Sequence, residues 1–319
     1  PIIKKLKSVN ITQQIRVCGP KTHLKKKNIP TMGGFIIIFG VMLSSILWAK
    51  LDNRFIILSF ISIIYLGIIG FYDDYLKIIK KDSRGLSVRT KLFLQFFLAF
   101  IISIYLYFYP TNTDYVTKVN IPYIKDCFLN IGLLYIIFSS FIIVGSSNSV
   151  NLSDGLDGLA IGLIIIVSLT YVCFSYLAGH IKFSDYLGII YIKDAGELAV
   201  FLSALIGASL GFLWYNSYPA EIFMGDTGSL FLGGMIGIVS VIIKQEILLL
   251  IARGVFVIEA LSVILQVYYF RLKKVRFFRM APLHHHYELK GITESKIVIR
   301  FWIISIILAL ISLSSLKIR

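Results

Sequence analysis

The chain has 319 residues, 57% of them hydrophobic and 15% charged, with a mean hydropathy of +0.82 and a formal net charge of +15. Soluble domains are roughly 45–50% apolar and about a quarter charged, so this composition excludes a soluble globular domain and points to an integral membrane protein. The positive balance does not call for a nucleic-acid partner, because in a membrane chain lysine and arginine first mark cytoplasmic loops and sites for anionic headgroups or phosphorylated substrates.

Basic Pro1–Lys27 carries no apolar core, so no cleavable signal peptide is expected there. Cys18, Cys127 and Cys173 lie in different segments without paired spacing, which argues against a disulfide framework or a zinc site. Runs of about 20 apolar residues cross a hydrocarbon core of roughly 30 Å as helices. Nine such spans follow in order: Gly33–Ala49, Phe55–Tyr72, Leu92–Tyr109, Phe128–Gly145, Leu159–Ala178, Leu198–Trp214, Ser229–Ile243, Ile247–Phe270 and Ile297–Leu316. The eighth contains Arg253, Gly254 and Glu259 and is the one expected to break or tilt. The fold class is therefore an all-α polytopic helical bundle in a single domain over residues 1–319, with any chemistry carried by the bundle itself.

Alternating the spans sorts the loops into two sets. One set holds residues 19–34, 73–91, 146–158, 215–229 and 271–296 and most of the loop lysines and arginines, so it is assigned to the cytoplasm. Every polar cluster of chemical interest falls in that set. Lys25–Lys27 precede Pro30-Thr31-Met32-Gly33-Gly34, a basic loop whose glycines let phosphate oxygens approach. Asp73-Asp74 stand at the end of the second span with Lys77 four residues after Asp73. An exposed helical ion pair would explain that lysine at only about 0.3–0.5 kcal/mol, while metal ligation or proton abstraction near a phosphate would explain both acids. Adjacent carboxylates do not share a helix face, so the two are not expected to serve one contact.

Asn151, Asp154 and Asp157 form the third cluster. Helix capping explains one aspartate but not all three residues, and any helix starting here would turn both acids to one face. Asn216 and Phe223-Met-Gly225-Asp226-Thr-Gly-Ser form the fourth, where Asp226 precedes a helix either as its cap or as a Mg²⁺ ligand. Ala281-Pro-Leu-His284-His285-His286 form the fifth, and three consecutive histidines cannot converge on one metal, so donation to phosphate or sugar oxygens is the alternative to a solvated loop. The acids sit at span ends instead of mid-span, which favours a surface site over a transport path.

These motifs, in this order, closely resemble the bacterial phospho-N-acetylmuramoyl-pentapeptide transferases from about Gly19 to the C-terminus. The triple histidine favours this family over related polyprenyl-phosphate transferases that use another UDP-N-acetylhexosamine; a transporter is the more distant alternative. The resemblance implies Mg²⁺-dependent transfer of phospho-N-acetylmuramoyl-pentapeptide from its UDP carrier to undecaprenyl phosphate, giving lipid I and UMP. It places the enzyme in the bacterial inner (cytoplasmic) membrane with the site facing the cytoplasm, and it implies a homodimer. It makes Asp73 the proposed general base with Asp74 beside it, and Asp226 the principal Mg²⁺ ligand. Asn151, Asp154 and Asp157 become nucleotide-sugar and metal-shell residues, and Asn216 and Phe223 uridine contacts. His284, His285 and His286 become substrate or phosphate contacts, and Lys26, Thr31 and Lys77 further parts of the site. The family pattern has ten spans where nine are read here, so a first helix is expected before Pro1.

Overall fold

The computed structural model describes residues 29–80, 85–124 and 127–318. Lys26 and the rest of the basic segment before Ile29 lie outside the described residues. The helices are α1 (Gly34–Trp48), α2 (Arg54–Lys80), α3 (Val88–Phe108), α4 (Leu134–Ser153), α5 (Leu159–Ala178), α6 (Ile181–Leu187), α7 (Gly196–Asn216), α8 (Gly225–Ile242), α9 (Glu246–Ala252), α10 (Gly254–Lys273), α11 (Leu283–Glu288) and α12 (Glu294–Ser314). Eight are long and apolar enough to cross a membrane, and α1 is a shorter apolar helix. Lipid offers backbone groups no hydrogen-bond partners, so helices that satisfy themselves are what these apolar runs form. The molecule is an all-α, multi-pass membrane bundle.

Several boundaries differ from the hydropathy reading, while the eighth span breaks as expected. The helix after Phe223 starts at Gly225, so Asp226 lies in its first turn instead of preceding it as a cap. The second span does not stop at Tyr72: α2 continues to Lys80, so Asp73, Asp74 and Lys77 are helical. The fourth does not start at Phe128. Residues Phe128–Asn130 instead pair antiparallel with Lys118–Asn120 in a small hairpin (β2 with β1), and α4 runs on to Ser153, carrying Asn151 on a helix. The eighth splits at Arg253 into α9 and α10. There the buried guanidinium turns toward α4, donating from Nη2 to Ser146 O at 2.9 Å and Ser149 Oγ at 3.1 Å. A cation that must find oxygen acceptors inside an apolar bundle is easier to satisfy where the helix opens.

The core is built around α8, whose apolar window is 89% buried, against 22% for α10. Its glycines let backbones meet, as small residues do between membrane helices. A Cβ on Gly34 of α1 would lie 2.2 Å from Gly228 N, one on Gly70 of α2 2.3 Å from Asp226 O, and one on Gly233 2.6 Å from Ser146 O. Ser147 Oγ of α4 donates to Leu230 O at 2.8 Å across the same seam. Polar contacts at the far ends of the helices form a separate group. Lys50 N donates to Glu197 Oε2 at 2.9 Å, Asn53 Nδ2 to Asp194 O at 2.9 Å, and Lys244 Nζ to Val116 O at 2.7 Å.

Candidate active site

The end of α2 and the start of α8 meet head to side. Asp74 places its carboxylate on the open N-terminus of α8, accepting from Asp226 N at 3.1 Å, Thr227 N at 2.9 Å and Thr227 Oγ1 at 2.8 Å. The first N–H groups of a helix have no partner of their own and carry partial positive charge, so a buried carboxylate is well held there. Thr31, also buried, stands on the other side: a Cβ on Gly225 would lie 2.6 Å from Asp74 Oδ2 and 3.0 Å from Thr31 Oγ1. Gly225 has φ 73°, a backbone that favours glycine.

Asp73 and Asp226 complete a carboxylate triad. Asp73, Asp74 and Asp226 can each present one oxygen within 4.8 Å of the others. This corrects the expectation that two adjacent acids cannot serve one contact: α8 enters between them, so faces about 100° apart on α2 both border it. Asp73 accepts from Leu86 N at 2.9 Å, and a Cβ on Gly85 would lie 2.6 Å from its Oδ2. Lys77 sits inside the triad, 2.6 Å from Asp73 Oδ2, 3.1 Å from Asp226 Oδ1 and 3.6 Å from Asp74 Oδ1. It is part of a polar centre, not an exposed helical pair. Asn151 Nδ2, on α4, donates to Asp226 Oδ1 at 2.9 Å and to Ser229 Oγ at 2.9 Å, fixing the rotation of that carboxylate.

The structure adds Lys91 to this group. Its ammonium hydrogen-bonds Asp226 Oδ2 and stands 3.9 Å from Asp73 Oδ1. Sequence reasoning counted it only as a cytoplasmic basic residue. The available clue was its place in the first turn of a span on the same side, four residues after Ser87, whose side chain accepts from Thr90 N.

Asp154 and Asp157 are not on a helix: α4 ends at Ser153, α5 starts at Leu159, and Gly158 lies in the left-handed region at φ 76°. The turn between them is clasped to the α7–α8 loop. Asp157 Oδ2 accepts from Ala220 N at 3.0 Å, and Gly158 N donates to Asn216 Oδ1 at 3.1 Å. Asn216 Nδ2 in turn donates to Ile222 O at 2.8 Å, and Glu294 Oε1 accepts from Asp157 N at 2.7 Å. At Asp154, burial, then the charges of Asp226, Asp74 and Asp157, push the carboxyl up to about 8. Phe223 is half-buried beside the clasp, and its backbone pairs with Pro30 O at 2.8 Å and Gly33 N at 2.8 Å.

The three histidines diverge. His284 is fully buried, with Nδ1 3.1 Å from Glu259 Oε2 and its ring against Gly155. His285 Nδ1 pairs with Glu288 Oε2 at 2.7 Å. His286 Nδ1 accepts from Arg279 N at 3.1 Å, and burial followed by the charges of Lys290 and Arg279 lowers its basicity. All three lie on the short helix α11 and not in a loop; His284 joins the Asp154–Gly158 wall, while the other two bond to Glu288 and Arg279 nearby in sequence.

A sequence model described as "Glycosyl transferase family 4" matches residues 55–244. A phospho-N-acetylmuramoyl-pentapeptide-transferase of Endomicrobium trichonymphae is 54% identical over 318 residues, covering 100% of this chain and 88% of the relative. Proteins of the same name from Thermodesulfovibrio yellowstonii and Citrifermentans bemidjiense are 54% and 52% identical, again over 100% of this chain and 88% of theirs. The chain belongs to the phospho-N-acetylmuramoyl-pentapeptide-transferase family. In this family member the region matched by the broader glycosyl transferase model includes the triad, Lys77, Lys91 and the clasp, whereas Glu259 and the three histidines lie beyond it.

Proposed function

We propose that this protein transfers phospho-N-acetylmuramoyl-pentapeptide from UDP-N-acetylmuramoyl-pentapeptide to undecaprenyl phosphate, releasing UMP and forming lipid I for peptidoglycan synthesis. The observation that carries the chemistry is the convergence of Asp73, Asp74 and Asp226 with Lys77 and Lys91 at the ends of membrane helices. The reaction brings a diphosphate and a lipid phosphate together, so charge neutralisation and alignment are its main demands.

In this centre carboxylates outnumber amines, which alone would repel two further anions. A hard dication matches the all-oxygen donor set and reverses that sign, so Mg²⁺ fits, with Asp226 as principal ligand and Asp73 and Asp74 close enough to share the shell. When bound, it would supply Lewis-acid stabilisation of the diphosphate and of the leaving UMP. Lys77 and Lys91 would then be available to phosphate oxygens, while Asn151 holds the orientation of Asp226. Asp73, held by Leu86 N and Lys77, is assigned the role of general base toward the lipid phosphate. Phe223 offers an aromatic face to uracil, beside Asn216 and Asp157, which hold the loop that presents it. His284 lines the same wall, Thr31 packs beside Gly225 and Asp74, and Lys26, His285 and His286 are assigned as further substrate contacts. The protein sits in a bacterial cytoplasmic membrane with this face toward the cytoplasm, where the nucleotide sugar is.

The test is UMP release by the protein in detergent micelles with Mg²⁺, the UDP-linked muramoyl pentapeptide and undecaprenyl phosphate. Asp226→Asn should lower the rate by at least about 10²–10³-fold, the scale for removing one group that stabilises transition-state charge, while leaving the thermal midpoint near wild type. Wild-type turnover in that variant would remove Asp226 from the centre. A preference for UDP-N-acetylglucosamine would assign the chain another sugar.

A further inference from the structure

Glu259 lies in α10, outside the triad and its lysines, and is fully buried. A carboxylate enclosed within a helical bundle is costly unless its oxygens are satisfied. Both of its oxygens are satisfied by one residue: Oε1 accepts from His284 N at 3.2 Å, and Oε2 pairs with His284 Nδ1 at 3.1 Å. His284 is equally buried, and its Nε2 has no hydrogen-bond partner among the described residues. That nitrogen stands where a side chain on Gly155 would begin, since a Cβ there would lie 2.4 Å away. Gly155 directly follows Asp154.

We infer that Glu259 is a positioning residue: it fixes the orientation and tautomer of His284, and through that ring it seats the Asp154–Gly158 turn against which the nucleotide sugar binds. The inference rests on the proposed function for the role of that turn. A carboxylate is an acceptor at both oxygens, so a proton sits on Nδ1, and in the neutral ring Nε2 meets Gly155 without a hydrogen between them. A proton on Nε2 instead would place an unpartnered buried donor against the turn at Gly155. The glycine is therefore matched to the ring, and the ring to the carboxylate two elements away.

Glu259→Gln separates this role from simple packing, because it keeps shape while removing the charge and turning one acceptor into a donor. Glutamine can use its carbonyl for His284 N–H, which leaves its NH₂ facing Nδ1 and drives the ring proton to Nε2. Two-bond proton–nitrogen spectra of ¹⁵N-histidine-labelled protein, with His284→Ala used for assignment, should show Nδ1 protonated in the wild type and Nε2 protonated in Glu259→Gln. The KM for the nucleotide sugar should rise about 10–100-fold, the range for losing a group that orients a site imidazole, with kcat within about threefold and the thermal midpoint little changed. In the double variant with His284→Ala the two losses should not add, because the first acts only through the second. An unchanged tautomer, an unchanged KM or additive losses would overturn the inference. Spectra and calorimetric binding of the nucleotide sugar need no turnover. A wild-type protein that binds but releases no UMP would therefore count against the proposed reaction and leave the positioning role to be judged by tautomer and affinity.

Discussion

Lys91 and Lys77 enter the centre from different helices and touch the same carboxylate, one at each oxygen of Asp226. They are fixed point charges in a partly enclosed place, where such charges act most strongly on developing phosphate charge. Lys91→Met should accordingly reduce UMP release by about 10²-fold with the fold intact, read from initial rates alongside a thermal midpoint. The centre's three acids could be picked out of the sequence because carboxylates at span ends have no packing reason to be there. Lys91 could not, because a lysine at a cytoplasmic helix end is already explained by topology. Asp157 and Asn216 show a different gap: their residue types marked a polar cluster, but nothing in the spacing said that their side chains would be spent on the backbone of a neighbouring loop.

At the scale of the element, the decisive contact is α2 against α8. Gly70 is one turn before Asp74, and its absent side chain leaves room for the backbone of Asp226 itself. Gly70→Ala should cost about 1–3 kcal/mol, as overfilling a packed interior does, and should depress UMP release as well, because relief of the clash moves the triad. Thermal unfolding in detergent and the UMP assay measure the two effects on one preparation. The nine apolar runs could be read because hydropathy reports which residues face lipid. Where helices stop is governed by backbone hydrogen bonding, which continues past the apolar stretch. That is why α2 outlasts Tyr72, α4 outlasts Gly145, and three residues of the fourth run fold as a strand.

At the scale of the molecule, the bundle keeps two polar ends apart, with the triad and its clasp at one and the Lys50, Asn53 and Lys244 contacts at the other. Sidedness is tested by single cysteines in a cysteine-free background. Lys193→Cys should react with a membrane-impermeant maleimide on intact spheroplasts, and Lys290→Cys only after permeabilisation; the reverse would turn the site outward. The closeness of α8 to its neighbours also limits how the protein can change. With main chain lying on main chain, there is no slack for a new side chain along this helix, and a saturation library would return its glycines as dead beside the acids of the triad. Melting behaviour sorts the glycines from Asp226, whose replacement should fail only in turnover. Altered substrate preference would have to be selected from the rim, at Phe223 and around His285 and His286, because the floor admits no trial and error.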